Sequence, residues 1–237
     1  MNILAFDTSD AVLSVALEVG PSAEGGSFWY TEVDAGTRHS ELLMPCADWL
    51  CRSAGIQPEQ VGLVACMEGP GSFTGLRIGF SAAKGIALAF GVPLTAVPTL
   101  DCIAEPLSFW RGITVAAIDA KKGCFFTALY RQGTRLTEYM DASPQRIADE
   151  IAQVQGSERE TVILTGGGAQ MLLPRLAELL PQADLTLNPT FKKGLARELL
   201  KLAKNGILHE ENVSLNKKGF GPVYVRKSDA ELNAGIA

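Results

Sequence analysis

The stretch "EGPGSFTGLRIG", Glu68 to Gly79, follows the apolar run "VGLVACM" and leads straight into a long helical pattern. A short apolar run that ends in glycine and proline reads as a buried strand, and its exit through a glycine turn into a helix is the strand–turn–helix unit of α/β proteins. The helix runs from Thr74 to Phe90, Gly91 ends it, and "VPLTAV" returns as the next strand. The turn itself admits three readings: a phosphate cradle, part of an active site, or a tight turn that lets the helix dock. A Walker-type loop needs a lysine after its last glycine to reach the terminal phosphates. Here Leu76 follows Gly75, which removes that mechanism. Backbone N–H groups at the helix start can still hold an anion. The plainer reading, favoured by the spacing alone, is a turn with Ser72 or Thr74 capping the helix.

The helix carries the next clue. Gly75, Gly79, Ala82, Ile86 and Ala89 share one stripe, Leu76, Ile78, Phe80, Leu88 and Phe90 occupy other faces, and only Arg77, Ser81 and Lys84 form a polar stripe. A helix apolar around most of its circumference should be covered on more than one side, by its own lobe or by a helix of another chain. Periodicity does not separate the two.

Outward from this segment, "NILAFDTS", "AVLSVALEV" and "SFWYTEV" read as three N-terminal strands in an antiparallel meander. "RHSELLMPCADWLCRSAG" reads as a helix with Leu42, Leu43, Cys46, Trp49 and Leu50 at near-helical spacing, Gly55 as C-cap, and Pro45 either starting or kinking it. "TLDCIAEPL" begins a further helix. The second half repeats this grammar: "GITVAAIDA", "CFFTALYRQG" and "TRLTEYM" as strands, "SPQRIADEIAQV" as a helix, "TVILTGGGA" as a strand entering a glycine turn, "QMLLPRLAELL" as a helix beginning near Pro174, and a last helix within "NPTFKKGLARELLKLAKNG". The fold class is therefore α/β with two similar lobes, divided near Ser108–Gly112.

The chain has 237 residues and a net charge of −5, and its basic residues are scattered, with pairs at Lys121–Lys122, Lys192–Lys193 and Lys217–Lys218 that read as solvated surface. Such a chain is not expected to grip nucleic acid alone. Five cysteines without a CxxC indicate neither a disulfide framework nor a zinc ribbon, and fit a reducing cytosol. The N-terminus lacks a basic leader, and the most apolar stretch, Ile78 to Val97, is broken by Lys84 and Pro93, so a cytoplasmic protein without a membrane span is expected.

Only His39 and His209 are present, with no nucleophile elbow and no H-x-x-x-H, so neither a hydrolase triad nor a metal site is expected. Asp7, Thr8 and Ser9 follow the first strand, where a carboxylate and two hydroxyls can hold Mg²⁺ or phosphate oxygens, or simply form a turn. Gly166, Gly167 and Gly168 would let a nucleotide approach a strand-to-helix turn closely.

"ILAFDTS", "RHSELLMP", "GPGSFTGLRIG", "IDAKKG" and "PVYVR" occur in that order. In this the chain resembles the bacterial TsaB proteins, also called YeaZ, from residue 2 to about Arg226 and most strongly before residue 100. The resemblance implies the actin-like (ASKHA, RNase H-like) architecture: two lobes, each a mixed sheet flanked by helices, here residues 1–109 with the partner-docking helices and residues 110–237 with a tail that can return to the first lobe. It also implies a role in making N6-threonylcarbamoyladenosine at position 37 of tRNAs that read ANN codons. There TsaB is a non-catalytic partner that docks and activates the transferase TsaD, with the ATPase TsaE joining the pair and tRNA reached only through the complex. No cofactor is required by that role; a weak ATP or ADP site at the inter-lobe cleft, formed by Asp7, Thr8, Ser9, Gly166, Gly167 and Gly168, is the associated expectation. Where TsaD carries its H-x-x-x-H, the matching positions here are Thr99 and Ile103, which supply no imidazole. The family's Asp-Ala-Arg stands here as Asp119–Ala120–Lys121. The resemblance places the TsaD contact, and a competing homodimer, on Leu42, Leu43, Cys46, Gly75, Ile78, Gly79, Ala82, Ala83 and Ile86. Gly79→Leu is then expected to block docking while the isolated chain stays folded. The rival reading is an ATP-dependent small-molecule phosphotransferase of the same fold; a metallopeptidase fails for lack of ligands.

Overall fold

The computed structural model describes residues 1–22, 25–155, 160–189, 193–208 and 221–222. Three antiparallel strands open the chain: β1 (Asn2–Asp7), β2 (Val12–Ser22) and β3 (Gly25–Asp34). After α1 (His39–Ser53), β4 (Val61–Gly69), α2 (Phe73–Phe90) and β5 (Leu94–Pro98), the sheet has the order β3-β2-β1-β4-β5, with β4 and β5 parallel to β1. A short helix, α3 (Thr99–Ala104), follows.

The next strands repeat the plan. β6 (Ile113–Asp119) and β7 (Phe125–Arg131) are antiparallel, and β8 (Thr134–Arg135) and β9 (Met140–Ala142) both pair with β7. After α4 (Pro144–Gln155), β10 (Val162–Thr165) lies parallel to β6, and after α5 (Ala169–Leu179), β11 (Leu185–Leu187) lies parallel to β10. Finally α6 (Ala196–Leu208) packs on β1 and β2 of the first sheet. The fold class read from the sequence, two mixed sheets flanked by helices, is thus the observed one.

Side-chain alternation explains the layers. Along β1, Leu4 and Phe6 point to the core beneath α1 and α2, while Ile3 and Ala5 point to the core beneath α6. The first sheet is therefore buried on both faces, as parallel pairing demands. In the second unit, Ile113, Val115 and Ala117 meet Ile147, Ile151, Leu172 and Leu176 of α4 and α5. Burying each of the valine, leucine and isoleucine side chains among them contributes about 1.5–3 kcal/mol.

The units part between Ile103 and Ala104, and residues 193–208 and 221–222 belong to the first. The sequence reading put the boundary after residue 109. Cys102 is the last residue of this stretch in the first unit's core. Local details also differ. "TRLTEYM" is not one strand: it holds β8 at its start and only the first residue of β9 at its end, and between them the Thr137 hydroxyl takes the Leu129 N–H (3.1 Å). The helix read as beginning near Pro174 begins at Ala169, and Pro174, like Pro45 in α1, sits inside. Each proline frees one carbonyl, that of Gln170 or Glu41, and both residues are exposed where water can take the bond. The caps follow the sequence: Ser72 Oγ accepts the Gly75 N–H at 3.2 Å, and Gly91 ends α2 at φ 65°. At the end of α1 the Gly55 N–H reaches Arg52 O and the Ile56 N–H reaches Cys51 O, a Schellman closure around Gly55 at φ 69°.

Candidate functional site

Asp7, Thr8 and Ser9 leave the end of β1 together, and all three are buried. The Ser9 hydroxyl and N–H donate to Asp7 Oδ1 at 2.7 and 2.9 Å, and the Leu195 N–H donates to Oδ2 at 2.8 Å. Thr8 Oγ1 donates to Gly75 O at 2.7 Å, tying the loop to α2. Next to Leu195, the Ala196 N–H donates to Ser14 Oγ (2.9 Å) and the Gly194 N–H to Glu32 Oε2 (3.1 Å). The Tyr30 hydroxyl donates to Glu32 Oε2 at 2.6 Å, with Gly194 O also in reach at 3.0 Å. Three consecutive N–H groups at the start of α6, which a helix cannot satisfy itself, are thus taken by side chains from three neighbouring strands.

In this socket Asp7, Thr8 and Ser9 take the turn-forming part that the sequence also allowed them. The structure does bring them together, but their polar atoms serve the chain's own backbone, with Asp7 only 2% exposed. Burial pushes the Asp7 carboxyl up from its ordinary value despite the hydrogen bonds from Ser9 and Leu195, which pull the other way. Burial and the neighbouring Glu32 likewise push the Tyr30 phenol up. Ser14 was missed by sequence reading, although a serine inside the apolar run "VLSVALEV" is the signal for it.

In the second unit, Gly166 turns the chain at φ 95°, and the Gly168 N–H donates to Ala117 O at 2.9 Å. A Cβ on Gly168 would stand 2.9 Å from Asp119 N and Ile118 C, so this glycine is required by close packing against β6. Gly167 is exposed. Asp119 pairs with Lys121, whose Nζ lies 2.8 Å from Oδ2 and whose N–H lies 2.8 Å from Oδ1, and this partner holds its carboxyl below the usual range.

The residues expected at a partner interface divide in two. Leu43, Gly75, Gly79 and Ala83 are interior residues. A Cβ on Gly75 would meet Thr8 O at 2.0 Å, and one on Gly79 would meet Thr8 Oγ1 at 2.4 Å. The glycines therefore admit the chain's own β1 loop rather than another chain's helix, and Gly79→Leu would collide inside the molecule before reaching any partner. Leu42, Cys46, Ile78, Ala82 and Ile86 are partly buried along the seam of α1 and α2.

Ile78 and Ala82, with Leu43 at its base, line an open groove of about 460 Å³ between these helices. Met44 and Phe73, 46% and 42% exposed, also line it and were missed by sequence reading. The Arg77 guanidinium lies 3.8 Å over the Phe73 ring at its edge. A serine on each helix, Ser40 and Ser81, completes the rim.

Thr99 opens α3 at the carboxyl end of β5 and Ile103 lies near the end of that helix; they are 1% and 8% exposed. The Thr99 hydroxyl has no hydrogen-bond partner among the described residues. Among those residues no group of three or more His, Cys, Asp or Glu could hold a metal ion, and no helix is long and apolar enough to cross a membrane. His39 is buried with Nε2 2.8 Å from Asp10 O.

A family model described as TsaD, tRNA N6-adenosine threonylcarbamoyltransferase, matches residues 33–234. The tRNA threonylcarbamoyladenosine biosynthesis protein TsaB of Escherichia coli (strain K12) is 30% identical over 77% of this chain and 86% of its own length. The chain belongs to the TsaB family, also called YeaZ. The Bacillus subtilis (strain 168) protein of the same name is 26% identical over 98% of this chain and 96% of its own. YeaZ from Pseudomonas aeruginosa superposes with a TM-score of 0.75 at 26% identity, covering 94% of this chain and 99% of that one. The two sheets described above are thus the TsaB fold, and the transferase model takes in β4 and β5 of the first sheet and the strands of the second.

Proposed function

We propose that this chain is a non-catalytic subunit of the complex that transfers a threonylcarbamoyl group to N6 of adenosine in tRNA, docking and activating the transferase TsaD through the α1–α2 groove. Family membership supplies the process, tRNA threonylcarbamoyladenosine biosynthesis. The observation that carries the docking role is the groove itself: apolar at its floor, with Met44 and Phe73 exposed, and rimmed by Arg77 and two serines. An apolar centre with a polar rim is the anatomy of a protein interface. The same groove is available to a second copy of the chain, so homodimer and heterodimer compete. TsaE joins through the pair, and no cofactor is needed on this chain. The phosphotransferase reading draws less support, since the Asp7 carboxylate it would use caps α6.

The test is reconstitution. Modified adenosine is measured with transferase, ATPase, threonylcarbamoyl donor system and tRNA, with and without this chain. Product should depend on the chain and be lost with Ala82→Glu, which places a charge in the groove while its circular dichroism stays unchanged. Equal product without the chain would end the proposal.

A further inference from the structure

Among the residues of α6 whose side chains are described, Arg197, Lys201, Lys204 and Asn205 are exposed, while Ala196, Glu198, Leu199, Leu200 and Ala203 face inward. Spacings of four and three residues place the three cations on one stripe, spanning about 10 Å at a rise of 1.5 Å per residue. The helix's one acid, Glu198, is buried and pairs with Lys193 (2.6 Å) just before the helix. Lys204 pairs with Glu18 on β2, which holds it along the same face. The Arg197 guanidinium lies 4.9 Å from the Phe28 ring and 5.7 Å from the Tyr30 ring. Those two rings stack on edge strand β3 at 6.4 Å and 14°, with Phe28 41% exposed. On a molecule of net charge −5, α6 therefore presents three cations in one basic stripe that ends at an aromatic–guanidinium stack, with Glu18 and Glu32 as the acids beside it.

We infer that this stripe and stack form a direct contact surface for RNA, the cations meeting successive backbone phosphates and Phe28 with Arg197 receiving an unstacked base. The choice of RNA over an acidic protein rests on the stack: every base presents a π-face to an exposed ring beside a guanidinium, whereas a carboxylate leaves that ring unused. Exposed pairs such as Lys204–Glu18 are weak and exchange readily for phosphate. The identity of the RNA as tRNA rests on the function proposed above; the surface itself does not. It lies on α6 and β3, elements that contribute nothing to the groove.

The test is fluorescence anisotropy of labelled full-length tRNA with the full chain, alone and with the transferase bound, across a salt series. Binding should weaken steeply with salt. Lys201→Gln should lower the slope of log affinity against log salt by about 1, and Lys201→Arg should restore it. Arg197→Gln with Lys201→Gln should weaken binding about tenfold or more, and Phe28→Ala should weaken a labelled single-stranded oligonucleotide about tenfold. Unchanged circular dichroism and unchanged transferase co-elution show that the variants are intact. No binding at about 50 mM salt in either setting overturns the inference. So does binding indifferent to these substitutions, or stronger retention of polyglutamate or of anionic phosphatidylserine vesicles than of tRNA. Loss of tRNA contact with docking intact separates this surface from the groove; failure of Ala82→Glu to block docking would sink the groove proposal and leave this one standing.

Discussion

Thr8 stands between two glycines of α2, and the chemistry of what each glycine faces sets the cost of replacing it. At Gly75 an added methyl group meets a backbone carbonyl, which cannot swing away; at Gly79 it meets the Thr8 hydroxyl, which can turn aside by giving up its hydrogen bond to Gly75 O. Gly75→Ala should therefore destabilise by about 1–3 kcal/mol or more, and Gly79→Ala by less, read from denaturant midpoints at unchanged slope. Asp7 makes a second prediction. Its folded carboxyl is raised above the unfolded 3.8, so its contribution to stability is full below that value and is lost as pH rises through the folded one. The stability of wild type minus that of Asp7→Asn should fall as pH rises above the unfolded value of 3.8; a difference that grows with pH would contradict the assignment. These residues show what was legible and what was not. "FDTS" and "GPGSFTG" could be marked as turns with chemistry from sequence alone. Which way their polar atoms face could not, because Leu195, the partner of Asp7, is 188 positions away.

At the scale of elements, α6 is held by its first turn. Gly194 lies against Ser14, and a Cβ there would approach Ser14 Cβ to 2.2 Å, so Gly194→Ala should unseat the start of the helix. Ser14→Ala, which leaves the Ala196 N–H without its acceptor, should cost about 1–3 kcal/mol. In both variants amide exchange in α6 should rise well before exchange in β6 and β10, measured residue by residue; uniform acceleration across the chain would argue against a local latch. The helix was readable from its periodicity, as were most strands. Its place on the first sheet was not, since helical spacing names an apolar face without naming what covers it. The same gap explains α2: its glycine stripe was rightly read as needing a neighbour, but that neighbour is Thr8, not another chain.

The whole molecule is one plan used twice: an antiparallel meander whose first strand continues into two parallel ones, β3-β2-β1-β4-β5 and then β7-β6-β10-β11 with β8 and β9 on the outer edge. That plan was visible as a repeated order of strands and helices. The point where packing passes from one unit to the next was not, because loops mark where elements end rather than where cores do. Cysteines report on the units separately. Cys46 in the first and Cys124 in the second are partly exposed, whereas Cys51, Cys66 and Cys102 are buried, and burial pushes the Cys66 thiol up. Titration with an aromatic disulfide reagent at neutral pH should find two reactive thiols, Cys124 faster than Cys46, whose thiol is also raised by burial, and three more only on unfolding. Because α6 covers Ile3, Ala5, Leu63 and Ala65, the order of synthesis matters. As the chain leaves the ribosome, the first sheet emerges early yet keeps one oily face bare until α6 follows more than ninety residues after β5. The second unit, encoded in between, can finish folding sooner. A prematurely terminated product would therefore carry a complete groove on a sticky, half-closed body, and quality control that recognises bare sheet faces would remove it before it could compete for the transferase.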